Sequence, residues 1–431
     1  MLSNRANRRM EGIKPSPYPA PTGPYYDQML HPEGVINLST AENSLLIQEV
    51  IPILQTSKIH AQHLKYRATL TRSSLPQLED LLPSYFNLRN PIKKVTRENS
   101  VTGPGVGALL ASVIWGLCEA GDGVLLSTPY YHDYKRDIEY PAQAELVLAH
   151  IPPHIDPLSP GVISYLEERI RTSAEEGVVV KCVILCNPHN PVPGCYPLET
   201  IEGYISLVEK YKIHLLVDEI FANTVYPTTD NPSPQGFISI LSLASYHSPE
   251  VIERIHVLGG PTKDLGCSGI KAALLVSENA QLRELVKRSM MATPVSGLTD
   301  AALSELLRDE KRSLGLLERN KEELRGSMDI CARWCRDHKL PYVGANAGVY
   351  FLLDLSSIAI KLGYEPGEEA VKCLMERMIH HGVHINPLAL DADPLPCRFR
   401  FIFTQKRDVL RLALQRLEDA FGLDHHDPTG I

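Results

Sequence analysis

Short, almost wholly apolar runs alternate with amphipathic stretches through the middle of the chain. Five of the apolar runs are GVLLS (123–127), CVILC (182–186), HLLV (214–217), IHVL (255–258) and AALLV (272–276). Segments between them, such as TIEGYISLVEKYK, place apolar residues at helical spacing. Apolar runs of this length separated by helices are typical of strands buried on both faces of a parallel sheet. The pattern therefore predicts an α/β unit around a mostly parallel sheet.

The pattern changes near residue 300. The stretch ALSELLRDEKRSLGLLERNKEELRGSMDICARWCRDH has charges between apolar residues at helical spacing, which predicts one or two long amphipathic helices. Strand-like GVYFLLDL and RFRFIF follow, and RDVLRLALQRLEDAFG predicts a last helix. We therefore expect an N-terminal arm (1–45), a large α/β domain (46–300) and a smaller α+β domain (301–431), a division that the length of 431 residues also favours.

Composition narrows the class of protein. A hydrophobic content of 44% and a charged content of 22% are typical of a soluble globular chain, and a net charge of −8 argues against a nucleic-acid-binding surface. Nine cysteines without a disulfide framework predict reduced thiols in a cytoplasmic compartment, and the polar, proline-rich start does not resemble a secretory signal. HAQH (60–63) and CARWC (331–335) each lack a second pair of ligands, so no metal site is predicted.

Polar or glycine-rich residues follow several of the predicted strands, where an open parallel sheet binds its ligands. The turn TGPGVG (102–107) opens a predicted helix and suits an anion, although a plain tight turn fits as well. Tyr131 would stack on a planar ligand or pack in the core. Asn190, in the rigid loop NPHNPVPG, would donate to a ligand oxygen or serve only as a turn residue.

Two charged side chains complete this set. Asp218 ends a buried strand, where a carboxylate costs free energy unless it has a cationic partner, so it is a candidate counter-ion. Lys263 lies in GGPTKDLG at a predicted cleft rim, where desolvation would lower the pKa of its amine and make it nucleophilic. Together these places suit a planar ligand with an anionic tail, a basic ring nitrogen and an aldehyde. Pyridoxal 5′-phosphate is such a ligand.

Three motifs, NPHNP, VDEIF and TKDLGCSGIK, occur in the order seen in a known family. They resemble the NPHNPxG, DEIY and SKDxGxxGxR motifs of fold-type I pyridoxal-phosphate enzymes of aminotransferase class I/II. LSTAENSL resembles the GLAEN element of the branch similar to 1-aminocyclopropane-1-carboxylate (ACC) synthase, and NAGVYFLLDL and RFRFIF resemble landmarks of its smaller domain. The resemblance runs from about residue 35 to 420 and implies a homodimeric enzyme of amino acid or secondary metabolism.

The resemblance implies a role for each candidate residue. Lys263 would bind the cofactor aldehyde as an imine and move protons on the substrate, and Asp218 would pair with the pyridinium nitrogen. Asn190 would bond the ring oxygen O3′, and Tyr131 would stack on the ring face. The phosphate would be bound by Gly105, Val106, Gly107 and Lys271.

Two further residues would face the substrate. Arg400 would clamp the substrate α-carboxylate through a bidentate pair, and Glu42 matches the acidic position that distinguishes the ACC-synthase branch. Alternation in RFRFIF puts Arg398 on the same face of the predicted strand as Arg400. Either arginine could therefore be the clamp, and the motif alignment favours Arg400.

The chain departs from the family pattern around the cofactor. Phe221 replaces the DEIY tyrosine, Gly260 replaces a phosphate-binding serine, Gly107 replaces a hydroxyl residue, and Lys271 replaces an arginine. Arg72 falls where the family has a tyrosine that reaches the neighbouring subunit's phosphate, so we expect Arg72 to supply charge in trans.

These departures bear on the type of reaction. An aminotransferase must retain pyridoxamine phosphate without a covalent bond, and each lost charge-assisted hydrogen bond weakens its binding by about 1.5–3 kcal/mol. A thinned phosphate site therefore favours elimination, such as carbon–sulfur cleavage, with transamination as the alternative. ACC formation is less expected because both tyrosines are replaced. The acidic net charge disfavours a non-catalytic, DNA-binding relative.

Overall fold

The computed structural model describes residues 2–3, 6–7, 17–65, 77–89, 94–243, 247–388, 393 and 395–425. The strands are β1 (Ile36–Asn37), β2 (Ser100–Gly103), β3 (Gly123–Ser127), β4 (Glu145–Ala149), β5 (Val180–Cys186), β6 (His214–Asp218), β7 (Ile255–Gly259), β8 (Ala273–Ser277), β9 (Tyr342–Val343), β10 (Tyr350–Asp354), β11 (Val383–His384), β12 (Asn386–Pro387) and β13 (Arg398–Ile402). The α-helices are α1 (Ile47–Gln55), α2 (Leu78–Asn87), α3 (Val106–Leu117), α4 (Asp133–Ala142), α5 (Val162–Glu175), α6 (Leu198–Tyr211), α7 (Ile240–Leu243), α8 (Pro249–Ile252), α9 (Ala280–Ser289), α10 (Gly297–Leu307), α11 (Glu310–Asp337), α12 (Ser356–Lys361), α13 (Glu368–His380) and α14 (Arg407–Phe421).

A seven-stranded sheet in the order β2-β8-β7-β6-β5-β3-β4 forms the centre of the molecule. The strands from β7 to β4 are mutually parallel, which confirms the predicted mostly parallel α/β fold. Strand β8 runs antiparallel to both β7 and β2. The segment between β7 and β8 contains no helix, and a parallel return would need a long crossover connection, usually a helix. That segment carries Lys263.

Helices cover both faces of this sheet because successive strand residues point to opposite sides. On β6, Leu215 and Val217 join an apolar cluster with α5 and α6, whereas Leu216 joins one with α3, α4 and α9. The strands β3, β7 and β8 are buried along their whole length. The polar residues that follow such strands therefore lie at the sheet edge, where a ligand can reach them.

A second, antiparallel sheet in the order β12-β13-β10-β9 packs with α11, α13 and α14 around its own apolar cluster. The long amphipathic stretch forms two helices, α10 and α11, and Asp309 between them caps α11 by accepting from the Arg312 N–H. The short strand β1 pairs in parallel with β11, at Ile36 and Val383, which ties the N-terminal segment to this second cluster. The boundaries expected at residues 45 and 300 remain predictions.

In the part of the chain that the structure describes, no helix is both long enough and apolar enough to cross a bilayer.

Candidate functional site

Lys263 lies in the glycine-rich turn between β7 and β8. Its Nζ donates a hydrogen bond of 2.5 Å to the carbonyl oxygen of Ala41. Burial, the largest cause, lowers the pKa of the Lys263 amine to about 8, and the nearby cations Lys271 and Arg400 lower it further. A lysine with this pKa has a larger neutral, nucleophilic fraction near pH 7 than an ordinary lysine.

Asn43, which the motif analysis did not single out, holds this turn in place. Its Nδ2 donates to the backbone oxygen of Lys263 at 3.3 Å and to Oδ1 of Asn320 at 2.8 Å. The turn approaches the backbone of Asn43 so closely that a Cβ at Gly266 would lie 2.5 Å from the Asn43 carbonyl oxygen. We call residues 39–43 the strap, because this segment crosses the turn and contacts the reactive lysine.

Asp218 ends β6 and is 5% exposed. Its carboxylate accepts from the Tyr134 hydroxyl at 2.8 Å and from the Ile220 N–H at 3.1 Å. Burial raises the pKa of Asp218 to about 6, against the opposing effects of those two hydrogen bonds and of Lys263. Asp218 is therefore mostly ionised at neutral pH and can accept from a protonated ring nitrogen. The sequence pointed to Asp218 but not to Tyr134.

Arg400 on β13 lies beside two of the other candidates, Asn190 and Tyr131. It is 7% exposed, its Nη1 donates to Oδ1 of Asn190 at 3.1 Å, and its Nη2 donates to the Ser39 carbonyl oxygen at 3.1 Å. The guanidinium carbon lies 5.8 Å from the centre of the Tyr131 ring. Because Arg400 donates to the side-chain oxygen of Asn190, the NH2 group of Asn190 can donate to a ligand oxygen.

Arg398 has a different environment. Its Nε donates to Oδ2 of Asp393 at 2.6 Å, and this carboxylate is almost fully buried. Breaking a buried ion pair by taking away one partner is costly. The geometry therefore brings Arg400, rather than Arg398, together with Asn190.

The start of α3 has the shape of an anion site. Gly105 adopts φ +110°, a conformation that favours glycine, and immediately precedes the helix. No acceptor among the described residues takes the N–H groups of Val106 and Gly107, which point out of the first turn as at other helix starts. The Lys271 side chain passes nearby, with its Cδ 3.7 Å from where a Gly105 Cβ would lie. The positive end of the helix dipole, the N–H groups of the first turn and the Lys271 side chain therefore all lie at the start of α3, where an anion could bind.

Two of the departures from the family pattern have a structural counterpart. A Cβ at Gly260 would lie 2.9 Å from the Ala272 carbonyl oxygen, so a serine does not fit there without movement. The ring of Phe221 is buried and packs edge-on against Tyr350, with the ring centres 5.4 Å apart. The hydroxyls that the resemblance implied at these two places are absent from this chain.

The second acid of the DEIF motif has a structural partner. Glu219 is fully buried and accepts from Arg89 Nη1 at 3.2 Å and from the Ser239 hydroxyl and the Ile240 N–H at 3.0 Å. Buried charges of this kind are stable when paired and hydrogen-bonded. Of the two adjacent acids, Asp218 is the one whose charge acts on the Lys263 amine.

The structure says less about the last two candidates, Glu42 and Arg72. The Glu42 side chain is exposed, and its carboxylate acts to raise the pKa of Lys263. Its backbone oxygen accepts from the Thr404 hydroxyl at 2.5 Å. Arg72 lies outside the described residues.

The residues present fit pyridoxal 5′-phosphate. The fit rests on a buried amine of lowered pKa, a buried carboxylate that influences it, and a helix start whose first N–H groups have no acceptor in the described chain. These correspond to the aldehyde, the ring nitrogen and the phosphate of the cofactor.

Comparison with known proteins supports this chemistry. A family model described as aminotransferase class I and II matches residues 33–417. The chain is 27% identical over 424 residues to a protein of Leptosphaeria maculans named probable aminotransferase sirI, covering 97% of this chain and 98% of that one. It is 28% identical over 401 residues to the ACC synthase-like protein 1 of Mus musculus, covering 91% of this chain and 77% of that one.

Solved structures share the fold. A single mutant of Thermus thermophilus aspartate aminotransferase superposes with a TM-score of 0.70 at 19% identity, covering 97% of this chain and 99% of the other. Bna3p of Saccharomyces cerevisiae, titled a putative kynurenine aminotransferase, superposes with a TM-score of 0.69 at 22% identity, covering 90% and 92%.

Proposed function

The chain belongs to the aminotransferase class I and II family, and from this premise we propose that it eliminates a leaving group from an amino-acid-type substrate. Its cofactor is pyridoxal 5′-phosphate. When bound, that cofactor supplies an electron sink for the negative charge that develops at the substrate Cα. The proposed reaction breaks a bond at Cβ or Cγ, as in carbon–sulfur cleavage of a cysteine conjugate.

Four side chains divide the work in this proposal. Arg400 binds the α-carboxylate and orients the substrate, and Asn190, held by Arg400, donates to the ring oxygen. Asp218 keeps the ring nitrogen protonated. Lys263 attaches the cofactor and, once the substrate displaces it, is the free amine that removes the Cα proton.

The observation that carries the choice of elimination is the thin phosphate site. Gly260 leaves no room for a serine without movement, and the exposed ammonium of Lys271 would offer the phosphate a point charge in place of the forked contact of an arginine. After an elimination Lys263 would again hold the cofactor covalently, whereas after a transamination the chain would have to retain pyridoxamine phosphate by non-covalent contacts alone. Each missing charge-assisted bond, worth about 1.5–3 kcal/mol, therefore penalises transamination more.

The first test asks whether the cofactor binds at Lys263. Purified protein with added pyridoxal phosphate should absorb at about 400–430 nm, and the Lys263→Ala variant should not develop that band. Lys372, a partly exposed lysine on α13 that pairs with Glu368, provides the matched control variant, Lys372→Ala. A wild-type protein that takes up no cofactor would contradict the proposal at its base.

The second test separates the two reactions. Incubation with an S-substituted cysteine should release thiol, keto acid and ammonia over many turnovers. Transamination remains the second candidate because relatives such as the Leptosphaeria maculans protein are named probable aminotransferases. A single equivalent of keto acid per site, without thiol, and a stable band at about 330 nm would favour that candidate instead.

We further infer a cytoplasmic homodimer in which Arg72 supplies positive charge to the partner's phosphate. The family resemblance and the thin phosphate site support this inference. Arg72→Ala should lower cofactor occupancy more than Arg171→Ala, which removes an exposed arginine. Equal occupancies in the two variants would contradict a role for Arg72, and a monomer in sedimentation would contradict the dimer.

A further inference from the structure

A carboxylate stands beside the predicted phosphate site. Asp137 lies on α4, and its side chain is 18% exposed. A Cβ at Gly107, in the first turn of α3, would lie 3.1 Å from Oδ2 of Asp137. Family members carry a hydroxyl residue at the position of Gly107. In this chain the Asp137 carboxylate adjoins the place where that side chain would begin.

Among the described residues, the cation paired with Asp137 is its largely exposed neighbour Arg136. Arg136 Nε lies 3.2 Å from Oδ1, but this arginine side chain is 61% exposed, so that solvent screens the pair. Helix α3 has no charged side chain to offer. Burial raises the pKa of the Asp137 carboxyl, Arg136 lowers it, and Asp133 on the same helix raises it.

Asp137 also acts on groups that face the cofactor ring. Its charge raises the pKa of Asp218 and that of the Tyr131 hydroxyl. A carboxylate that lies next to Gly107 and influences both of these groups faces the same space as a phosphate bound at the start of α3. Two negative charges at that range repel each other.

We propose that Asp137 is an acidic member of the phosphate site that weakens the binding of any phosphate-bearing cofactor form not covalently attached to the chain. Retention of the cofactor then depends on its bond to Lys263. This inference rests on the proposed function and deepens it, because it gives a second, independent reason for the chain to release pyridoxamine phosphate and so to favour elimination.

The test measures binding of two amines that cannot form the bond to Lys263, pyridoxamine phosphate and pyridoxamine, by equilibrium dialysis. Asp137→Asn keeps the shape of the side chain and removes its charge. We expect this variant to bind pyridoxamine phosphate at least about fivefold more tightly than wild type, with pyridoxamine changed less than about twofold. High salt should shrink the difference, since the partly exposed charges are screened.

Glu139→Gln is the matched control, because it makes the same change of charge on the same helix. Equal effects of the two variants, or equal effects of Asp137→Asn on both amines, would overturn the inference. Uptake of pyridoxal phosphate by the wild type, followed by absorbance at about 400–430 nm, distinguishes an error about Asp137 from an error in the proposed function. If the wild type forms that band while the affinities stay equal, only the role of Asp137 is wrong. If no band forms, both are wrong.

Discussion

The hydrogen bond from Tyr134 to Asp218 affects the acid strength of Asp218, the proposed partner of the ring nitrogen. By donating at 2.8 Å, the hydroxyl stabilises the ionised carboxylate and holds its pKa below the value that burial alone would impose. An ionised Asp218 would favour a protonated ring nitrogen, which strengthens the cofactor as an electron sink. Since Phe221 has no hydroxyl to offer the ring oxygen, Asn190 and Asp218 are the two proposed side-chain partners that would tune the ring.

Tyr134→Phe should therefore shift the proton from the ring nitrogen toward Asp218. With less positive charge on the ring, the nitrogen that links the cofactor to Lys263 should keep its proton to higher pH. We expect its apparent pKa to rise by about half a unit to one unit, the worth of one hydrogen bond, in an absorbance titration of the loaded protein. Tyr140→Phe on the same helix is the control, and an equal shift there would contradict the assignment.

The two arginines of β13 give a second contrast at single residues. Arg400→Lys removes the forked donor that binds Asn190 and Ser39, so we expect kcat/KM to fall by roughly tenfold to a hundredfold, mostly through KM. Arg398→Lys should change kcat/KM less than about threefold, because Arg398 pairs with Asp393. Steady-state kinetics of both variants with one substrate decide the matter, and a larger loss for Arg398→Lys would reverse the assignment.

Among single residues, the sequence predicted the candidate catalytic and binding residues better than the residues that hold them in position. Lys263, Asp218 and Asn190 follow apolar runs within recognisable motifs, so their place at the sheet edge could be predicted. Tyr134 and Asn43 act through hydrogen bonds to residues far away in the chain. Such contacts exist only after the chain has folded, although the position of Tyr134 at the start of a predicted helix, three residues after the candidate Tyr131, was a usable signal.

Among the elements, the turn from β7 to β8 and the strap depend on each other. Gly266 adopts φ +66°, and its Cα hydrogen faces the Asn43 carbonyl, where a methyl group would lie 2.5 Å away. The strap in turn offers the Ala41 carbonyl to Lys263 and the Ser39 carbonyl to Arg400. Displacing the strap would therefore disturb the reactive amine and the carboxylate clamp together.

Gly266→Ala should cost about 2 kcal/mol or more of stability, because it adds both backbone strain and a steric clash. We also expect weaker cofactor uptake, as the turn holding Lys263 is pushed from the strap. Gly269→Ala in the same turn is the control, since no atom lies within 4 Å of its Cβ position. Thermal unfolding measures the loss of stability, and absorbance of the bound cofactor measures the loss of cofactor uptake. Similar losses in Gly266→Ala and Gly269→Ala would argue against a coupling between the turn and the strap.

The types of the elements were predictable, and the direction of one was not. Apolar runs indicated the buried strands, and helical spacing indicated the amphipathic helices α10 and α11. Strand β8 is buried on both faces, so its sequence AALLV is a continuous apolar run whichever way the strand points. That run therefore cannot tell a parallel from an antiparallel strand. The direction of β8 follows from the connection before it, which holds Lys263 and has no helix.

At the scale of the whole molecule, a buried histidine pair and the candidate site lie at opposite ends of the strands of the central sheet. Asp218 ends β6, whereas His214 begins it. There, Nδ1 of His214 lies 3.0 Å from Nε2 of His256, and Nδ1 of His256 lies 2.8 Å from the Ser277 hydroxyl. Burial is the main cause that lowers the pKa of His214 to about 4 and the pKa of His256 well below its usual value. The rings stack and are neutral in the folded protein.

This pair should make the fold acid-sensitive without touching the site. A histidine whose folded pKa lies below its unfolded value near 6.5 stabilises the fold fully above that value and loses the contribution as pH falls toward the folded pKa. Between about pH 7.5 and 5.5, wild type should lose on the order of 1 kcal/mol from His214 alone, and His214→Gln should lose correspondingly less. His150→Gln, an exposed control, should follow wild type. Urea unfolding at the two pH values gives the free energies, and parallel losses in all three proteins would mean that the buried pair does not set the acid limit.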